Sequence, residues 1–191
     1  VYCGQADGQD RRSALTVWAQ ILSMLVHDLQ PILVFTCDEV MAFLPASLRD
    51  GQTRAALLDW YTAPWSADEA ASLLSAYNQL STARDVFTKA FEEAKESGIV
   101  TEGTSQAAQA TLTLPADAAA ALANVDLAEV FVCAAVEVVS GEGFSCAVAP
   151  ATGEKCPRCW NVRELGGNAN HPHVCKRCGD VLDSIGFSEE D

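Results

Sequence analysis

The 191-residue chain contains no run of about 18 consecutive apolar residues, so the sequence offers no segment able to span a membrane. Its opening, "VYCGQADGQD", has no initiator Met, no basic n-region and no apolar h-region. It is therefore not read as a signal peptide, and the chain is expected to be a piece of something longer. Positive charge is scarce: 12 Lys and Arg stand against 26 Asp and Glu, for a net charge of −14. Such a surface repels phosphate backbones at long range and argues against a simple DNA-coating protein. Also missing are a Ser/His/Asp set, a phosphate-binding glycine loop and a carboxylate pair placed for acid–base work. His27 has Asp28 beside it but no nucleophile nearby, and it is expected at the edge of a core. The run "EEAKE" (92–96) reads as a solvated helix face.

Cysteine, in contrast, is plentiful. Eight cysteines without a secretory signal predict a reducing compartment, the cytoplasm, with metal binding ahead of disulfides. Four follow the spacing C-x2-C-x15-C-x2-C: Cys156, Cys159, Cys175 and Cys178. A C-x2-C turn aims two sulfurs at one point, and two such turns close a tetrahedron around one Zn2+ at about 2.3 Å per sulfur. Pro157 and Gly179 suit tight knuckle turns. The loop "LGGNANHPH" between the pairs has little core of its own, so the metal must supply most of the folding energy. A redox C-x-x-C stands alone at a helix start after a strand, a context missing here. Iron is an alternative occupant for four sulfurs. His171 and His173 read as polar loop residues, since four cysteines already complete the site. The remaining cysteines, Cys3, Cys37, Cys133 and Cys146, read as free thiols, with Cys133 and Cys146 not facing one another.

A closed four-thiolate site has no open coordination position, so its expected role is to hold a surface and not to catalyse. Between Gly153 and Gly179 the charge is +3, which leaves −17 on the rest of the chain. The candidates for a nucleic-acid surface are Arg158, Trp160, Arg163, Lys176 and Arg177. Guanidinium groups bind phosphate in a two-pronged fashion, and an indole stacks on an unpaired base. The competing expectation for Trp160 is packing over the knuckle, and for the basic residues ordinary solvated charge.

Upstream, apolar residues at Leu15, Trp18, Leu22, Leu25, Val26 and Leu29 predict one helix face over Arg11 to Leu29, ended by Pro31. Thr36 and Glu39 predict a capping box opening a second helix that runs to about Leu44. A short helix is expected within 46–65, a helix over Ser66 to Leu80, and another capped by Ser81 or Thr82 and stopped by Gly98. "ATLTLP" (110–115) predicts a strand and "DAAAALA" a short helix. "AEVFVCAAVEVVS" (128–140) predicts a long strand, which "GEG" (141–143) turns into a returning partner strand. The expected fold is mainly α: a helical bundle (1–80), a small α+β subdomain (81–150), and a four-cysteine zinc knuckle or ribbon with a frayed acidic tail (151–191).

"GEKCPRCW" followed by "VCKRCG" resembles the C-terminal zinc module of the bacterial-type isoleucyl-tRNA synthetases of class I. "LQPILVFTCDEVMAFLP" (29–45) is similar to a segment of the anticodon-binding helical domain shared by the Ile, Val, Leu and Met enzymes, with Val34 and Met41 where proline and tryptophan often stand. "ARDVFTKAFEEAKESGIV" (83–100) and "AQATLTLP" (108–115) resemble the helix and strand that follow. The resemblance is colinear and covers nearly the whole chain. It implies a monomeric region that binds the anticodon arm of tRNA(Ile), with one structural zinc on the four cysteines and Arg158 and Trp160 nearest the anticodon. It also implies that the ATP-dependent aminoacylation core lies on the rest of the synthetase chain, so this region alone is not expected to aminoacylate. Two alternatives stand beside it: a zinc-finger DNA-binding module of a repair glycosylase, and a structural zinc clip docking the end of a larger enzyme.

Overall fold

In a computed structural model, which describes residues 2–101 and 103–187, the chain forms two compact units, Val1–Ser66 and Ala67–Asp191. The expected boundary at residue 80 falls inside a helix of the second unit. The acidic tail lies largely outside the described residues. No helix among the described residues is long and apolar enough to cross a membrane.

The first unit is helical. Helix α1 spans Gln9–Leu29 and α2 spans Val34–Phe43. Pro31 separates them as the sequence predicts, but the capping box does not form. Residue Leu33 is the N-cap, without a side-chain bond, and Thr36 lies inside the helix. The chain turns tightly after α1, with the Leu33 N–H donating to the Leu29 carbonyl, so α2 starts earlier. Val34 is thus the first helical residue, the position where proline is tolerated best, and a valine there loses nothing essential. Met41 is fully buried with Val26, Cys37, Leu44 and Ala55 in a small core. Two 3-10 turns, Ala46–Leu48 and Ala55–Leu57, replace the expected short helix. The second is tied to α2 because Asp38 accepts from Arg54 Nη1 and from the Ala55 N–H, both at 2.8 Å. Those bonds hold the Asp38 carboxyl below its usual range. His27 is buried as expected, its Nδ1 2.8 Å from the Asp59 carbonyl oxygen. The face of α1 carrying Leu15, Trp18, Leu22 and Leu25 remains largely exposed.

The second unit begins with α3, Ala67–Glu96, one unbroken 30-residue helix where two were expected. Ser81 and Thr82 do not cap a new start. The Thr82 hydroxyl donates back to the Asn78 carbonyl at 3.0 Å, which is compatible with a continuing helix. The helix stops at left-handed Gly98 (φ 74°), as predicted. Strand β1 (Ala108–Leu114) follows, then short helices α4 (Ala116–Ala121) and α5 (Leu127–Phe131), then strands β2 (Ala135–Ser140) and β3 (Ser145–Pro150). The expected long strand over 128–140 is therefore helix at its start and strand only from Ala135 onward. Asp126 caps α5 by accepting the Glu129 N–H at 3.0 Å, and Val132 ends it in a left-handed conformation.

Strands β2 and β3 do not form the expected hairpin. The sheet order is β2-β1-β3, parallel to β2 and antiparallel to β3. A parallel pair needs a long crossover, which α4 and α5 provide. The inward residues of β1 alternate, with Ala108, Ala110, Leu112 and Leu114 buried. They pack with Phe87 and Phe91 of α3 and Phe131 of α5. Phe87 stacks on Phe131 at 4.8 Å between ring centres. The expected order of a helical part, a small α+β part and a four-cysteine module holds.

Candidate metal centre

Strand β4 (Glu154–Lys155) pairs antiparallel with β5 (Val162–Arg163), and the first cysteine pair forms the knuckle between them. The knuckle is closed by two backbone bonds: the Cys156 N–H donates to the Asn161 carbonyl at 3.0 Å, and the Trp160 N–H to the Cys156 carbonyl at 2.8 Å. The second pair begins helix α6, Lys176–Ser184, with Cys175 as its N-cap. A bridge between Leu165 and Cys175 ties the two halves together.

Gly153 sits just ahead of β4 at φ 115°, and a Cβ there would lie 2.6 Å from the backbone carbon and oxygen of Arg163. Only glycine fits both the conformation and the space. Gly153→Ala is expected to destabilise the module by about 1–3 kcal/mol, measured as faster zinc loss to a chelator with an unchanged sheet signal.

Among the described residues, the sulfurs of Cys156, Cys159, Cys175 and Cys178 all lie within 4.8 Å of one another. A zinc tetrahedron with arms of about 2.3 Å has edges of about 3.8 Å. The Cys159 and Cys175 sulfurs are 3.9 Å apart, which matches such an edge. The four residues therefore fit a zinc ion in kind, number and spacing. All eight cysteines are free of disulfides.

The surroundings favour sulfur anions unequally. Burial works against a thiolate at Cys156, but N–H bonds from Cys175, Cys159 and Arg158 outweigh it and bring the thiol down to about 6. One of these, from the Cys175 N–H to the Cys156 sulfur, measures 3.4 Å. At Cys178, burial dominates and the thiol is pushed up to about 12, although the Arg158 guanidinium opposes this. A divalent cation held by these four sulfurs would resolve the conflict, since metal binding displaces thiol protons.

The sequence-predicted surface residues divide. Trp160 is 63% exposed, with its backbone at φ 64° and Lys155 Nζ 5.7 Å from its ring centre. Most of the indole therefore faces solvent, with the Lys155 side chain beside it. Arg158 is half-buried and turned inward, its Nη1 donating to the Cys178 sulfur at 3.6 Å. Arg163 is half-buried, and its Nε has no hydrogen-bond partner among the described residues. Lys176 pairs with Asp180 one helical turn on, at 2.6 Å. Arg177 is exposed. Burial pulls its guanidinium pKa down, and the sulfurs of Cys159, Cys178 and Cys175 with the Glu129 carboxylate more than offset this, holding it above the ordinary value.

His173 is an exposed loop residue as expected, but His171 is buried. It lies 3.4 Å from Asp183 of α6, which also accepts from Asn168 and Asn170 at 2.7 and 3.0 Å. The loop that looked coreless is thus pinned to α6 by polar side chains, a pattern with no apolar period to reveal it. Asn161 ties the module to the segment between α5 and β2, its amide donating to the Cys133 carbonyl at 3.2 Å. Burial pushes the Cys133 thiol itself up to about 11, so it stays protonated at neutral pH.

Residues 153–181 match a family described as a zinc finger found in FPG and IleRS. That description covers two kinds of protein, and the rest of the chain separates them. An isoleucine–tRNA ligase of Nitratidesulfovibrio vulgaris (strain DP4) is 34% identical over 202 residues, covering 97% of this chain. The chain belongs to the isoleucine–tRNA ligase family. Other isoleucine–tRNA ligases agree: that of Xylella fastidiosa (strain 9a5c) is 31% identical over 97% of the chain, and that of Saccharophagus degradans 33% over 99%. The chain spans about a fifth of the length of these relatives, 20–21%. It corresponds to the C-terminal region of an isoleucine–tRNA ligase, with the four cysteines inside the matched finger.

Proposed function

We propose that this region binds the anticodon arm of tRNA(Ile) for an isoleucine–tRNA ligase, with one structural zinc on Cys156, Cys159, Cys175 and Cys178. The observation that carries the reading is Trp160. A left-handed backbone is costly for a bulky residue and persists only where its surroundings over-determine it. Here the knuckle holds the indole out to solvent beside Lys155. That arrangement suits a base stacked on the ring with a phosphate near the ammonium. Lys176 adds positive charge that is cheaply released, since an exposed pair such as Lys176–Asp180 contributes at most about 1 kcal/mol. Arg163 and Arg177 supply further guanidinium groups on the same module.

The partners in this reading are the tRNA and the rest of the synthetase chain, which carries ATP-dependent aminoacylation; the region alone does not aminoacylate. The exposed apolar face of α1 suits packing against other parts of that longer polypeptide. The working state is a monomer in the cytoplasm, where thiols stay reduced. The structural-clip role is compatible with this reading, because Asn161 ties the knuckle to the segment that leads into β2.

Trp160→Ala is expected to weaken tRNA(Ile) binding by about 1–3 kcal/mol, or roughly 5- to 150-fold, without changing zinc content. Direct binding titrations with tRNA(Ile) and with an anticodon-substituted tRNA measure this. Equal affinity of the variant and the parent, or indifference to the anticodon, overturns the proposal.

A further inference from the structure

Four thiolates around one Zn2+ carry a net charge of −2. Three of the four sulfurs lie on fully or nearly fully buried residues: Cys156 and Cys178 at 0% and Cys175 at 2% exposure. Excess negative charge in such a place is costly unless donors face it. The first knuckle draws its donors from the backbone, as the Cys175 N–H does for Cys156. Cys178 sits on the first turn of α6 and receives a side chain instead: the Arg158 Nη1, at 3.6 Å, from the opposite knuckle. Arg158 and Cys178 are 20 residues apart in sequence, so this bond bridges the two cysteine pairs.

We propose that Arg158 is a positioning residue of the metal centre: its guanidinium neutralises part of the excess charge on the Cys178 sulfur, clamps the two knuckles together and slows loss of the metal. This departs from the expectation that Arg158 chiefly meets RNA. It rests on the zinc reading of the four cysteines, and failure of that reading would show separately, as a parent protein that takes up no zinc. Arg177 is a second source of positive charge near the sulfurs, but it is exposed, and among the described residues it makes no direct bond to sulfur.

The test compares the zinc-loaded full-length protein with its Arg158→Met and Arg158→Lys variants. Chelator competition reads zinc affinity, and tRNA(Ile) titration is run in parallel on the same samples. Loss of an outer hydrogen bond to a metal ligand typically costs 10- to 100-fold in metal affinity. Arg158→Met is expected to lose about that much, with Arg158→Lys falling between it and the parent. Cobalt substitution adds a readout that mere folding does not move. A hydrogen bond withdraws electron density from sulfur, so its loss should shift the sulfur-to-cobalt charge-transfer band to longer wavelength in Arg158→Met. Zinc affinity within twofold of the parent overturns the proposal, whatever happens to tRNA binding. So does a cobalt band that stays in place. If Arg158→Met retains no metal, Arg158→Lys decides: partial retention supports the clamp, and loss as complete as that of the Met variant overturns it.

Discussion

Stripping the zinc-loaded protein with a strong chelator is expected to unfold residues 154–184 while leaving the three-stranded sheet intact. The reason lies in the separation of the two cores. The module buries Cys156, Val174, Cys175 and Cys178, with Cys159, Leu165 and Leu182 packed against them. Four of those seven are the cysteines themselves. Without metal, the remaining apolar groups are too few to offset the backbone entropy of ordering some thirty residues, at roughly 1–2 kcal/mol each. Metal binding contributes about 10–16 kcal/mol in comparable zinc-finger peptides. The sheet has its own core of Phe87, Phe91, Leu112, Leu114 and Phe131 and does not depend on the sulfurs. Hydrogen exchange should therefore show amide protection lost across β4, β5 and α6 and retained in β1 to β3. Cys178→Ser should reproduce that pattern without chelator. Protection that survives metal removal would mean the module is held by its polar clasps, such as Asp183 with Asn168 and Asn170.

Phe87→Ala is expected to have the second-largest effect, a loss of about 3–5 kcal/mol from the second unit. Phe87 is 4% exposed. Its ring stacks on Phe131 at 4.8 Å and lies 6.2 Å from Phe91, so truncation removes the contact that joins α3 to α5. Helix α5 is five residues long and cannot be stable alone. Its loss would remove part of the crossover that permits β1 and β2 to run parallel. Chemical denaturation followed by far-UV circular dichroism measures the change. Zinc affinity should fall far less than in Arg158→Met, because Phe87 belongs to the sheet's core and not to the module's.

The local periodicities were informative because each reflects nearest-neighbour geometry along the chain. α1, the strand after Gln109 and the stop at Gly98 were legible for this reason. The differences arose where another interaction overruled the pattern: a bond within four residues in three cases, and a distant strand partner in the fourth. Thr36 and Glu39 have the spacing of a capping box, yet the tight turn after Leu29 starts the helix before Thr36. Ser81 and Thr82 look like caps, yet the hydroxyl of Thr82 bonds backward and α3 continues. "AEVFVCAAVEVVS" has strand composition throughout, yet Asp126 captures the Glu129 N–H and winds its first part into α5. The apparent hairpin at "GEG" failed because β1, not β2, is the better partner for β3.

The metal centre divides the same way. Cysteine spacing by itself determined the four sulfurs, because the geometry of a C-x2-C turn is local and tetrahedral closure needs only one flexible loop. Composition determined the basic patch but not its direction. Which of its side chains face solvent and which face sulfur depends on how two knuckles 15 residues apart close on each other. That closure turned Arg158 inward to Cys178 and left Trp160 outward on a left-handed backbone. The physical reason is that the contact is long-range: the Arg158 guanidinium meets a sulfur 20 residues away, and no pattern along the chain measures that distance.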